Sequence, residues 1–142
     1  MMLKNIPSVL SPDLLKTLAK MGHGDEISIV DGNYPAESAG PPVIRADGLG
    51  IPEVLSAILE LLPLDNFVDT NVYYMDNGKK EKPAIWEEFD KIFAASGEPF
   101  SIKNLDRFDY YDQAQKSVCI VATSETALYS NVILKKGVIF PK

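Results

Sequence analysis

Apolar residues along this chain follow two spacings in turn, one helical and one extended. Leu14, Leu15, Leu18 and Ala19 recur at helical intervals behind Ser11-Pro12-Asp13. There a serine can cap the first turn, proline fits the first helical position and an acid suits the positive end of the helix dipole. Gly22 stops this helix, and Glu26 to Val30 reads as a strand with Ile27 and Ile29 on one face. His23 and Asp31 therefore bracket that strand. Turn formers crowd residues 31–42, with a short strand expected over 43–45. A second helix runs from Pro52 to Pro63 with Val54, Leu55, Ile58, Leu59 and Leu62 as its stripe. A strand over 72–75 precedes a third helix that starts at Pro83, turns Ile85, Trp86, Phe89 and Phe93 inward and ends at Gly97. Strands over 101–105, 118–123 and 132–134, with a short helix over 107–114, complete the series. In that helix Phe108, Tyr111 and Gln115 share a face.

Helices alternating with strands predict one α/β domain spanning residues 1–142, a central mixed sheet flanked by helices. The length of 142 residues suits a single domain with a real core. Fourteen basic against twenty acidic residues leave a net charge of -6, which argues against a nucleic-acid partner, because phosphate binding is driven by Lys and Arg. The apolar stretch 54–62 is interrupted by Ser56 and Glu60 and is shorter than the roughly 20 residues a bilayer span needs, so no membrane partner is expected. No signal-peptide apolar region opens the chain, and the expected location is cytoplasmic. The single cysteine, Cys119, lies in an apolar run and reads as an inert core thiol. With one His and one Cys, the usual zinc ligand sets cannot be assembled and no metal site is expected, although an all-carboxylate site is left open.

Chemistry-bearing residues are few. His23, the sole histidine, sits between two glycines at a helix-to-strand junction. Such a group is either a satisfied structural residue or an acid/base catalyst, since imidazole titrates near neutral pH. Asp31 either caps the turn that follows it or holds ligand hydroxyls. Arg45 and Asp47 make a loop-ordering ion pair, and Arg107 either clamps an anion or covers an apolar neighbour. The glycines at 22–24 and 48–50 match neither the dinucleotide fingerprint nor the phosphate-binding loop, and no Gly-x-Ser-x-Gly elbow is present.

Five ordered blocks carry a resemblance. They are Met21-Gly22-His23-Gly24-Asp25-Glu26, Asp31-Gly32-Asn33-Tyr34-Pro35-Ala36 and Val43-Ile44-Arg45-Ala46-Asp47-Gly48, then Arg107-Phe108 with Tyr111 and Ala114-Gln115, and finally Tyr129-Ser130-Asn131 before Leu134-Lys135-Lys136-Gly137. Together they resemble the family of fucose mutarotases and D-ribose pyranases. Residues 65–98 carry no motif of that family. The resemblance implies an isomerase that interconverts the anomers of a free monosaccharide, with His23 as proton donor. It implies substrate binding by Asp31, Arg107 and the segment Tyr129, Ser130 and Asn131. It further implies a ring-like homo-oligomer, a decamer, whose neighbouring subunits complete the site.

Arg107 marks the fucose branch, because the ribose branch has histidine there, so L-fucose is the implied partner. Phe108 and Tyr111 are expected to cover the C6 methyl. Mutarotation opens a cyclic hemiacetal by delivering a proton to the ring oxygen and removing one from the anomeric hydroxyl, which needs no cofactor. Tyr129, a carboxylate or a water could take the second role. The alternatives are a ribose pyranase, a carboxylate-pair hydrolase, and a non-catalytic sugar-binding subunit that would tolerate loss of His23.

Overall fold

The computed structural model describes all 142 residues, Met1–Lys142. Helix α1 covers Pro12–Lys20, and the Ser11 hydroxyl accepts the Leu14 N–H at 3.1 Å as its cap. Strand β1 is Glu26–Val30, and after a single 3-10 turn at Ala36–Ser38 comes β2, Val43–Ala46. Helix α2, Ile51–Leu59, opens on Gly50, whose N–H donates to the Glu53 carboxylate at 2.9 Å. Strand β3 is Val72–Met75. Helix α3, Ile85–Ser96, starts two residues beyond Pro83 because the Pro83 carbonyl closes a turn onto the Trp86 N–H; Gly97 ends it in the left-handed region at φ 77°. Strand β4 (Ile102–Leu105), helix α4 (Arg107–Ala114), β5 (Ile120–Thr123) and β6 (Val132–Lys135) follow.

The six strands form one mixed sheet in the order β2-β5-β1-β6-β3-β4. β2, β5 and β1 run parallel, as do β3 and β4, while β6 lies between β1 and β3 and is antiparallel to both. Ser28 pairs with Ile120 on one side and with Ile133 on the other. Both faces are covered. Ile27 and Ile29 face the main core with Leu14 and Leu18 of α1, Leu55 and Ile58 of α2, and Phe89 and Phe93 of α3. The opposite face carries Val30, Ile120 and Ala122 under Ala36, and Met75 and Ile133 under Tyr110 and Ala114 of α4. Every residue of β1 is buried in consequence, as expected of a central strand covered on both faces.

Helix α4 packs through its buried residues. The apolar floor offered by Met75 and Ile133 is taken by Tyr110 and Ala114, with Tyr111 half-buried at its edge and Phe108 exposed. Cys119 is buried as expected, and burial pushes its thiol up to about 12. No helix is long and apolar enough to cross a membrane.

The tail of β6 ties down two other segments. Lys136 donates its N–H to Asp25 and accepts from Gly24 at 2.8 Å each, and Leu64 bridges to Lys136. Gly137 donates to the Pro63 carbonyl at 2.8 Å, so close that a Cβ there would lie 2.3 Å from the Leu64 carbonyl oxygen. Gly137→Ala should therefore force backbone apart and cost about 1–3 kcal/mol. Gly22→Ala, which would meet the Asp25 carboxylate at an ordinary 3.7 Å, should stay within about 0.5 kcal/mol. Chemical denaturation of both variants checks this, and equal stabilities would contradict it.

Candidate functional site

Parallel strands bring their carboxyl ends to one edge of the sheet, and a reversed neighbour brings its amino end to the same edge. Asp31 follows β1, Met75 ends β3, and Arg107 opens α4 just after β4. Tyr129-Ser130-Asn131 lead into the reversed β6. These residues meet at the rim where open α/β sheets usually bind ligands. There Asp31, Asn33, Tyr34, Met75, Arg107, Tyr111, Leu128, Tyr129 and Asn131 line a cavity of about 260 Å³. Drug-sized ligands occupy pockets of roughly 300–1,000 Å³, so this volume suits a smaller molecule.

Asp31 closes the turn that follows it and also lines the cavity. Its Oδ1 accepts the Asn33 N–H at 2.9 Å, closing the turn, while the side chain still lines the cavity. Its own N–H donates to Asn131 Oδ1 at 2.8 Å, which locks the end of β1 to the start of β6. Burial raises the Asp31 carboxyl above the ordinary value of 3.8, and the charge of Glu125 adds to this; the Asn33 and Tyr34 N–H groups and the Asn131 amide pull the other way without cancelling it. Burial likewise raises the Tyr34 phenol, helped by Tyr111 and Asp31, so Tyr34 remains a hydrogen-bond donor.

Arg107 is held in place by aromatic neighbours. Its Nε donates to the Tyr111 hydroxyl at 2.9 Å, and its guanidinium carbon lies 5.4 Å from the Tyr111 ring and 5.5 Å from that of Phe108. Stacking of this kind orients a guanidinium while leaving its outer N–H groups free. Tyr111 lines the cavity, but Phe108 does not; it packs edge-on against Tyr111 outside it. Tyr129 adopts a left-handed backbone, φ 55°, uncommon for a residue with a side chain. The Trp86 indole N–H donates to its carbonyl at 2.9 Å and holds that turn. Ser130 is fully buried and donates to the Ala127 carbonyl at 2.8 Å, so its hydroxyl shapes the turn and does not line the cavity.

His23 lies elsewhere. It precedes β1 while Asp31 follows it, and the five residues of the strand alone separate the two ends by roughly 13 Å. Within one chain the imidazole is absent from the cavity lining. It contacts Asp65, with His23 Nε2 3.0 Å from Asp65 Oδ1, and its ring packs 5.3 Å from that of Phe67. Asp65 lies in the segment where the sequence shows no motif, and its 42-residue separation from His23 leaves no local signal. Arg45 pairs with Asp47 at 2.8 Å as expected, and also with Glu37 at 3.2 Å. Nowhere do three or more His, Cys, Asp or Glu side chains gather closely enough to hold a metal ion.

Residues 4–139 match the RbsD / FucU transport protein family. The chain is 47% identical to the fucose mutarotase of Bos taurus over 99% of its own length and 96% of the bovine chain. It superposes on the fucose mutarotase from Streptococcus pneumoniae, solved in complex with L-fucose, with a TM-score of 0.93 and 47% identity, covering 97% of this chain and all of the other. Against Bacillus subtilis RbsD complexed with D-ribose the TM-score is 0.80, over 98% of this chain and all of the other, at 23% identity, a likeness of fold alone.

Because burial raises Asp31 in the folded chain, its protonated form is favoured by folding. That contribution is fully present below the ordinary value of 3.8 and is lost as pH rises through the raised one. Asp31→Asn keeps the turn-closing oxygen and removes the ionisation. The variant should be more stable than the parent at about pH 7 and lose that advantage at about pH 3, as is common for residues placed for function. Denaturant midpoints at the two pH values measure it; a variant less stable at neutral pH would contradict the assignment.

Proposed function

The chain belongs to the RbsD / FucU transport protein family, and from that premise we infer that it is an L-fucose mutarotase, an isomerase that interconverts the α and β anomers of the free sugar by opening and reclosing its ring. The observation that carries this reading is whole-length similarity at 47% identity to a fucose mutarotase that binds L-fucose, together with a cavity suited to one small polyol. The cavity has a polar side and an apolar one. Asp31, Asn33, Arg107 and Asn131 offer acceptors and donors for hydroxyls, and charged hydrogen bonds of this kind are worth roughly 1.5–3 kcal/mol each. Met75, Leu128 and the Tyr111 ring supply an apolar wall for the C6 methyl, in place of Phe108. A methyl in such a pocket is worth about 1–3 kcal/mol, which sets a finite preference over ribose.

The reaction needs a proton delivered to the ring oxygen and another taken from the anomeric hydroxyl, then the reverse on the other carbonyl face. His23 is the acid/base group for the first transfer. Its position beyond the cavity of its own chain supports a homo-oligomer in which His23 of one copy enters the cavity of another. The exposed apolar ring of Phe67, which packs against His23, and that of Phe140, 6.1 Å from Phe67, supply a surface for that contact. The assembly proposed on the family resemblance is a decamer. Asp31, whose raised carboxyl suits proton exchange, and Tyr129 stand beside the sugar for the second transfer. Tyr129 and Asn131 complete the binding segment, with Ser130 holding its turn. A cytoplasmic setting and the absence of a bound cofactor belong to the same proposal.

NMR exchange spectroscopy between anomers tests this on L-fucose, D-ribose and D-galactose under one condition. L-Fucose should exchange fastest, and His23→Ala should slow it by about 100-fold or more. Faster ribose exchange would move the chain to the pyranases. Unchanged exchange in His23→Ala would sink the catalytic assignment of His23, and no acceleration by the parent itself, with sugar binding retained, would favour a non-catalytic binding protein.

A further inference from the structure

The His23 ring is gripped by a short segment that the binding cavity does not use. Asp65 Oδ1 accepts two hydrogen bonds, from the Phe67 N–H at 3.0 Å and from His23 Nε2 at 3.0 Å. The Phe67 ring meanwhile packs against the imidazole. Surface His–carboxylate contacts are usually worth little. This one is asymmetric: the Asp65 side chain is 3% exposed and that of His23 is 47% exposed. A buried carboxylate needs partners, and an exposed imidazole anchored at one nitrogen presents the other outward.

The aspartate is itself well fixed. Its N–H donates to the Lys135 carbonyl and its carbonyl accepts from the Asn71 amide, both at 3.0 Å. The Asn71 amide also reaches the Pro99 carbonyl at 2.8 Å. The turn carrying His23 hangs on the same β6 tail, through Lys136 to Gly24 and Asp25, with the Lys136 ammonium donating to the Met21 carbonyl. Both halves of the pair are thus held to one strand end, which fixes their separation.

We infer that Asp65 is a positioning residue for the isomerase reaction: it accepts the Nε2–H of His23, selects that tautomer, and leaves Nδ1 as the nitrogen that exchanges protons with the sugar. The inference rests on the catalytic reading of His23 proposed above. An ionised carboxylate can only accept from the ring, whereas a protonated one could donate to it. Burial pushes the Asp65 carboxyl up, but the Phe67 N–H, the His23 ring and the Lys135 charge outweigh it and hold the group below its ordinary value. In the neutral ring Nδ1 then carries a lone pair. Nδ1 takes a proton from water to become the acid, gives it to the ring oxygen as the ring opens and recovers it from the resulting hydroxyl as the ring recloses. Asp31 or Tyr129 meanwhile takes the anomeric hydroxyl proton and returns it, and the proton on Nε2 stays with Asp65. An anchored ring also loses less rotational freedom on reaching the sugar.

Because His23 is the sole histidine, histidine-selective 15N labelling gives an unambiguous ring spectrum. In the neutral form the proton should reside on Nε2, and a proton found on Nδ1 overturns the proposal whether or not any variant folds. Asp65→Asn keeps the shape and an acceptor for Phe67 but weakens the hold on the ring. It should lower kcat for anomer exchange about tenfold, since charge-assisted hydrogen bonds are roughly twice as strong as neutral ones, with KM nearly unchanged and its thermal unfolding close to that of the parent. Introduced into His23→Ala, the same change should cost nothing further. An equal loss in that background shows a structural role and overturns the proposal. Slow exchange in His23→Ala beside normal exchange in Asp65→Asn overturns the positioning role alone. Normal exchange in His23→Ala removes the catalytic reading and this inference together.

Discussion

The reversed direction of β6 between β1 and β3 constrains both ends of the sheet. A parallel strand in that place would bring its carboxyl end to the cavity rim. Because β6 runs the other way, its approach segment delivers Tyr129 and Asn131 beside Asp31, and the Asn131 side chain binds the Asp31 N–H. Its exit, from Lys135 to Gly137, reaches the opposite edge and holds the His23 turn and the Leu64–Asp65 segment through main-chain hydrogen bonds. One strand therefore sets the geometry of the binding cavity and of the imidazole, and keeps them apart within a chain.

This separation makes physical sense of the charges. A sugar cavity needs buried acceptors, and burial raises Asp31, which makes it a better proton acceptor than an ordinary carboxylate when it ionises. Asp65 is also buried, yet its hydrogen bonds keep it charged, which suits an anchor and not an acid. Two aspartates at opposite ends of β1 are thus given opposite tasks by their surroundings. Arg107 needs neither kind of burial, since stacking on Tyr111 and Phe108 orients it at the rim.

Much of the fold is legible in local sequence. Ser11 and Pro12 start α1, the stripe of Val54, Leu55 and Ile58 writes α2, and Ile27 and Ile29 mark the core side of β1. In α4 the spacing shows that Phe108 and Tyr111 share a face, but which residues pack on the sheet depends on the floor beneath, which takes Tyr110 and Ala114. The 3-10 turn at Ala36–Ser38 is hidden among turn formers that suit many loop shapes. Asp31, Arg107, Tyr129 and Asn131 could be named from their motifs and converge in space, but their meeting depends on strand order, which no local pattern encodes. Asp65 was illegible for a related reason: its role comes from a partner 42 residues away and from the Gly137 backbone pressed against its neighbour Leu64.

On the role proposed for His23, the site is divided between the two ends of β1 and is complete only where two copies meet; subunit complementation measures that directly. His23→Ala subunits retain the cavity, and Arg107→Ala subunits retain the imidazole. Each assembly alone should be nearly inactive in anomer exchange on L-fucose. Dissociated and reassembled together at equal amounts, they should recover roughly a quarter of the parental activity, because about one site in four then pairs an intact cavity with an intact His23. Recovery no greater than the average of the two separate variants would contradict a site shared between subunits.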